Sequence, residues 1–139
     1  TQVIDSFGGE HDWLSNFAAA PVTLDGIIFP TVEHAYQAAK TVLTEEREMF
    51  LTLAKAGNAK KLGKHVTMRP DWEQVKVEIM LDLVRQKFQI PALAAKLHAT
   101  GDAELIEGNW WGDTFWGVCK GVGLNHLGKI LMKVRKELK

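Results

Sequence analysis

The chain has a single cysteine, Cys119, and no excess of either charge: Lys plus Arg and Asp plus Glu both count 17 in 139 residues. One thiol excludes an internal disulfide, and with no partner base in its neighbourhood Cys119 is not read as a nucleophile. Zero net charge excludes a global field that would draw the protein onto nucleic acid or an anionic membrane, which leaves only local basic patches. No apolar run is long enough to span a bilayer, and the basic, apolar and small-residue order of a signal peptide is missing. The expected setting is therefore reducing and cytoplasmic, with no membrane partner. Metal spacing is absent as well: there is no His-Glu-x-x-His, no cysteine pair and no carboxylate-rich loop, so no metal is expected. The glycine spacings match neither a Walker loop nor a dinucleotide fingerprint, which removes support for ATP use or hydride transfer; no cofactor is expected. Repeats, low-complexity tracts and linkers are missing too, and the length suits one domain over residues 1–139 with a core of its own.

What is present is concentrated. Half of the 12 glycines and three of the 5 tryptophans fall between Glu107 and Gly128. Glycine lets backbone approach a ligand or take positive φ, and large aromatics offer flat faces with a polar handle. Around Asp113 the mixture reads as a binding surface. The other reading is a loop whose tryptophans plug the core beneath it.

The N-terminal third suggests short strands, Val3 to Phe7 and Pro21 to Phe29, the second folded into a hairpin at Asp25-Gly26. Ser15 and Asn16 sit in an apolar patch, where such residues usually satisfy local backbone groups. Pro30-Thr31-Val32 predicts a helix through about Val42 capped by Thr31. A second helix from Thr44 or Glu45 would place Met49, Phe50, Leu53 and Ala54 on one side, and Asn58 would cap a short turn ending at Gly63. Asp71 with Gln74 forms a capping-box pattern ahead of Trp72, Val75, Ile79 and Leu83. Pro91 suits the first turn of a helix reaching His98. Leu105-Ile106 reads as a further strand, and Leu127, Ile130, Leu131, Val134 and Leu138 as a final amphipathic helix. Many helices and few strands argue an α+β fold, mainly helical, with a small and largely antiparallel sheet.

In the first helix Glu33, Gln37 and Lys40 share one stripe at i, i+4 and i+7. A solvated face, with Glu33 favoured by the positive helix start, is one reading; a pocket wall is the other, since the neighbouring turns are Ala and Tyr. His34 points about 100° away from Glu33, so the two form no dyad, and a histidine in an Ala-rich helix is usually packed and hydrogen-bonded. Lys60, Lys61, Lys64 and Arg69 cluster around Gly63 ahead of Trp72. They are solvated surface, or cations for a phosphate with a tryptophan to stack on a base.

These motifs together resemble one family. Leu14-Ser-Asn-Phe17, Pro30-Thr-Val-Glu-His-Ala-Tyr-Gln-Ala-Ala-Lys40, Ala59-Lys-Lys-Leu-Gly63, Lys87-Phe88, Thr100-Gly-Asp102, Asp113-Thr-Phe-Trp-Gly117 and Asn125-His-Leu-Gly128, followed by Ile130-Leu-Met132 and Arg135, are similar to the NADAR superfamily, also called YbiA-like. The resemblance spans nearly the whole chain in the expected order. It implies a compact, mainly helical α+β fold and hydrolysis of an N-glycosidic bond. Two substrate classes come with it: ADP-ribose on guanine in nucleoside or nucleic acid, and the phosphoribosylamino pyrimidine intermediates of riboflavin synthesis. Both join a phosphorylated ribose to a heterocycle nitrogen. It also admits an ADP-ribosyltransferase toxin as a counterpart, and a module that only binds ADP-ribose. Trp110-Trp111-Gly112 before Asp113 and Val118-Cys119 after Gly117 are where the chain departs from the riboflavin-type relatives.

Residue by residue, the resemblance implies catalytic roles for Glu33, Lys40 and Asp113. The expected substrate-binding set is Asn16, Phe17, His34, Gln37, Lys64, Trp72, Trp111, Trp116, Gly117 and Asn125. Cleaving a ribosyl nitrogen bond builds positive charge on the sugar carbon while the base leaves with its electrons, so an anion near the sugar and a proton for the base are needed. Glu33 and Asp113 are the candidates for these two tasks. Lys40 opens a second route through an imine with the opened ribose. Trp116, with Trp72 or Trp111, would stack on base or ribose. Asn125 reads equally as the cap of the last helix.

Overall fold

Short strands alternate with short helices along this chain, because its apolar runs are brief and turn residues interrupt them. The computed structural model describes residues 2–138. Its elements run β1 (Val3–Ile4), a 3-10 segment (Gly9–Leu14), β2 (Ala19–Leu24), β3 (Ile27–Thr31), α1 (Val32–Ala38) and α2 (Thr44–Met49). After a 3-10 turn (Phe50–Thr52) come α3 (Ala56–Leu62), α4 (Trp72–Lys87), α5 (Pro91–Ala99), β4 (Glu104–Leu105), β5 (Gly108–Asn109), β6 (Val118–Cys119) and α6 (His126–Glu137). The fold is α+β. Among the described residues no helix is long and apolar enough to cross a membrane. The residues group into two compact units, Asn16–Lys87 and the pair of segments Thr1–Ser15 and Phe88–Lys139.

In the unit Asn16–Lys87, Asp25 and Gly26 take φ of 48° and 84°, the two left-handed residues that a tight hairpin requires. They pair β2 antiparallel with β3 in the register Leu24 to Ile27 and Val22 to Phe29. Alternation then sends Ala20, Val22 and Phe29 inward. Arg47, buried on α2, holds the turn through Asp25 at 2.6 Å and donates from Nε to the Thr41 carbonyl at 2.8 Å. Thr31 caps α1 as expected, its hydroxyl oxygen accepting from the His34 amide at 3.0 Å.

Helix α1 stops at Ala38 rather than near Val42. There the Lys40 and Thr41 amides tighten to the carbonyls three residues back, and the Thr41 hydroxyl oxygen accepts from the Leu43 amide. The second helix is shorter than its apolar spacing suggests: the chain changes to 3-10 geometry at Phe50, so Phe50 is buried while Met49 and Leu51 are exposed. Asn58 lies inside α3 instead of capping it, and Lys55 takes the cap position. Asp71 precedes α4, but both its carboxylate oxygens bind Arg69, at 2.7 and 3.2 Å. Helix α4 buries Trp72, Met80, Leu83 and Val84, leaving Val75 and Ile79 half-buried.

In the other unit β1 pairs parallel with β4, and β5 parallel with β6, each over two residues. The strand expected from Val3 to Phe7 is reduced to Val3–Ile4. Beyond it the Ile106 amide still reaches the Ile4 carbonyl, and Gly108 passes so near the Asp5 carbonyl that a Cβ would lie 2.1 Å from that oxygen. Helix α6 buries Leu127, Ile130, Leu131 and Val134, and Leu138 follows its end half-buried. Gly128 lets α6 lie against β4, since a Cβ there would sit 2.1 Å from the Leu105 carbonyl oxygen. Arg135 of α6 donates to the Thr100 hydroxyl at the end of α5 at 2.9 Å.

Candidate active site

All seven residues of α1 are buried, because the helix packs on the hairpin, on α3 and on α4. That settles the polar stripe: Glu33 is 7 % exposed and Gln37 4 %, so this is no solvated face. Gln37 Nε2 donates to Glu33 Oε2 at 2.7 Å, the arrangement that suits a carboxylate acceptor. The Glu33 amide in turn donates to the Asn16 carbonyl at 3.1 Å, tying the first turn of α1 to the Ser-Asn-Phe segment. One turn further on, the Lys40 ammonium lies 5.9 Å from the centre of the Tyr36 ring. Burial pushes the Lys40 amine below its ordinary pKa; the Glu33 charge opposes this, and Lys60, Lys64 and Lys76 reinforce it. A carboxylate with a fixed donor on α1 and an amine of lowered pKa in the turn just past the end of that helix therefore lie near each other. Such a pair can offer an anion, a nucleophile or a base.

The glycine-rich stretch builds a second arrangement. Asn109 is its hub: Nδ2 donates to Glu107 Oε2 and to the Asp113 carbonyl, both at 2.9 Å, and Oδ1 accepts from the Asp113 amide at 3.0 Å. Asp113 Oδ1 then accepts from the Phe115 and Trp116 amides at 3.1 and 2.9 Å, closing a turn through its own carboxylate. Trp116 is half-buried, edge-on to Phe115 with ring centres 4.9 Å apart. Gly117 is required by crowding, as a Cβ would sit 2.1 Å from the Glu107 backbone carbonyl oxygen. Trp110 and Trp111 do not plug a core: they are 83 % and 49 % exposed, in a T-shaped pair with centres 5.5 Å apart. Among the described residues no group of three or more His, Cys, Asp or Glu gathers as a metal site.

A family model described as the NADAR domain matches residues 6–139. The chain belongs to the NADAR domain family. An N-glycosidase YbiA from Escherichia coli is 36% identical to it over 142 residues, covering 98% of this chain and 88% of that protein. An N-glycosidase from Nostoc punctiforme is 39% identical over 132 residues, covering 90% of this chain and 84% of that one. A riboflavin biosynthesis protein from Vibrio vulnificus is 42% identical over 132 residues, which are 92% of this chain; the match spans only 36% of the Vibrio protein. The NMR structure of the Escherichia coli protein YbiA superposes with a TM-score of 0.85 over 99% of this chain and 86% of the other, at 36% identity. The NADAR fold, α+β, is thus shared.

Within this NADAR chain three of the expected substrate contacts are framework instead. His34 is fully buried with both ring nitrogens engaged: Nε2 donates to the Leu53 carbonyl at 2.9 Å, and Nδ1 lies 2.7 Å from the Thr31 hydroxyl. The carbonyl fixes the tautomer, so the ring has no nitrogen left for a ligand. Trp72 is 4 % exposed and packs its ring 5.2 Å from Tyr36, which removes it as a stacking platform. Asn125 occupies the position before α6 at φ 55° but makes no capping hydrogen bond. Its side chain accepts from the Glu107 amide and donates to the Leu105 carbonyl, both at 2.9 Å, clamping the start of the glycine-rich stretch. Asn16 is buried, and its Nδ2 lies 3.5 Å from the Met80 sulfur on α4 rather than on a neighbouring backbone group. Phe17 and Lys64 are exposed. In the unit Asn16–Lys87, Asn16, Glu33, Gln37 and Lys40 come together; in the other unit, Asp113, Trp116 and Gly117 do.

Sequence reasoning missed Asn109 and Lys76. Asn109 stands one residue from each of Gly108 and Trp110, where an amide able to bridge two loop strands was a readable signal. Lys76 follows Trp72 by one helical turn, which puts it on the side of α4 that faces α1.

Proposed function

We propose that this chain hydrolyses the N-glycosyl bond between a phosphorylated ribose and a heterocyclic base, with ADP-ribose on guanine as its substrate. The observation that carries the reading is the buried Glu33–Gln37 pair one turn from the Lys40 amine. The names of the relatives, N-glycosidase in two cases, support the same reaction class. As the bond to C1′ breaks, its electrons leave with the base, which takes a proton; water adds at C1′ and gives up its own. Glu33 is placed as the anion beside the developing sugar cation, since its fixed donor keeps it an acceptor. Lys60, Lys64 and Lys76 all bear on Lys40 beside Glu33, Lys76 while paired to Glu73 at 2.8 Å, and this gathering of ammonium groups suits a diphosphate. The exposed pair Trp110 and Trp111 suits a base presented within a polymer. An ADP-ribosyltransferase that modifies guanine is the counterpart this activity calls for.

The glycine-rich loop receives its role from the family resemblance: Asp113 orients a ribose hydroxyl or supplies the proton, with Trp116 against the sugar or base. Asp113→Asn keeps an oxygen for the two backbone amides and removes only charge. A fall of about a hundredfold in kcat is expected, the lower end for an acid-base group, with the near-ultraviolet circular dichroism of the tryptophans retained. A near-normal rate would dismiss the role.

The Vibrio relative favours a second reading, a riboflavin-intermediate glycosidase releasing ribose 5-phosphate. Incubating purified protein with ADP-ribosylated guanosine and, separately, with the phosphoribosylamino pyrimidine separates the two by chromatography. Guanosine plus ADP-ribose supports the first; ribose 5-phosphate alone supports the second; tight binding without product points to a module that only binds.

A further inference from the structure

Gly63 ends α3 at φ −58° and ψ −18°, a right-handed conformation that any residue adopts. Its backbone therefore has no need of glycine, and alanine is the better helix former. What excludes alanine is a side chain of α1. A Cβ at position 63 would lie 1.9 Å from Gln37 Oε1 and 2.8 Å from Gln37 Cδ. That amide oxygen is buried and has no hydrogen-bond partner, whereas Nε2 of the same amide donates to Glu33 Oε2 at 2.7 Å. The opposite orientation would set Oε1 against the carboxylate, two acceptors face to face. The amide is thus held between a carboxylate on one side and bare backbone on the other.

We propose that Gly63 is a positioning residue. Its missing side chain leaves the slot in which the Gln37 amide lies, and Gln37 holds the Glu33 carboxylate in the orientation that hydrolysis uses. This rests on the N-glycosidase reading for its consequence, and on packing alone for its geometry. Gly63→Ala turns the amide out of the slot and takes the donor from Glu33. A displacement of about 1 Å at a reacting group costs up to about a hundredfold in rate, so kcat on ADP-ribosylated guanosine is expected to fall by about tenfold to a hundredfold. KM should stay within about twofold and the helical circular dichroism unchanged, because here Gln37 acts through the Glu33 carboxylate and not as a substrate contact of its own.

The test has two arms. In a Gln37→Ala background Cδ and Oε1 are gone, so adding Gly63→Ala should change kcat by less than about twofold, as coupled neighbours do. In parallel, nuclear magnetic resonance of the Gln37 side-chain amide should show protection from solvent exchange in the wild-type chain and its loss in Gly63→Ala. A wild-type kcat in Gly63→Ala, an equal loss in both backgrounds, or an unaltered Gln37 amide each overturns the proposal. Should the wild-type chain turn over no ribosylated base, the functional reading fails on that result, and the amide resonances still decide whether Gly63 positions Gln37.

Discussion

Glu33→Gln is expected to lower kcat by about a hundredfold to ten-thousandfold while the protein stays folded. The substitution is nearly isosteric, and an amide oxygen at the same place still accepts from Gln37 Nε2, which now lies 2.7 Å from Glu33 Oε2. What disappears is the negative charge. Glu33 is 7 % exposed, so bulk water offers little substitute for it as positive charge grows on the ribose carbon. Steady-state rates on ADP-ribosylated guanosine, with circular dichroism to verify folding, decide the matter. A variant within about threefold of the wild type would remove Glu33 from the chemistry, since an acid-base group contributes far more.

Lys40 carries the second large effect. Its amine sits below its ordinary pKa, chiefly through burial, against the opposing charge of Glu33. An amine attacks only when neutral, so the neutral fraction rises with pH until the lowered pKa is passed. If Lys40 displaces the base from C1′ and opens the ribose, two of its protons are lost, an imine forms, and water later releases the sugar. Borohydride added during turnover would then fix the ribose to Lys40, visible as a mass increase on that peptide, and Lys40→Met would abolish both the adduct and turnover. The sign of a further effect follows from the cause of the shift. Glu33 raises the Lys40 pKa, so Glu33→Gln should move the pH at which trapping becomes efficient downward; removing Lys60 or Lys64 should move it upward. Turnover without any trapped adduct would exclude the imine route and leave direct attack by water.

Several pieces were legible in the sequence because they depend on bonds between near neighbours. Thr31 and His34 are three residues apart, and the cap forms as expected. The polar stripe on α1 was visible by spacing, yet its meaning was not, because exposure depends on what α3 and α4 bring against it. Trp72 shows the opposite error. Its place at the start of α4, just after Asp71, was correct, but the Tyr36 ring that covers it comes from another helix. The reading of Asn125 failed for a related reason: at φ 55° its side chain is aimed away from the first turn of α6 and toward Leu105 and Glu107.

By itself the sequence determined the left-handed turn at Asp25-Gly26, the start of α5 at Pro91, the period of α6 and the family pattern, since each rests on conformational preferences within a few residues. Only the tertiary structure decided that α1 is buried on every side, that Glu33 receives a donor from Gln37, and that Gly63 leaves room for that amide. Those outcomes depend on the close packing of residues far apart in the chain, where a single Cβ changes what fits.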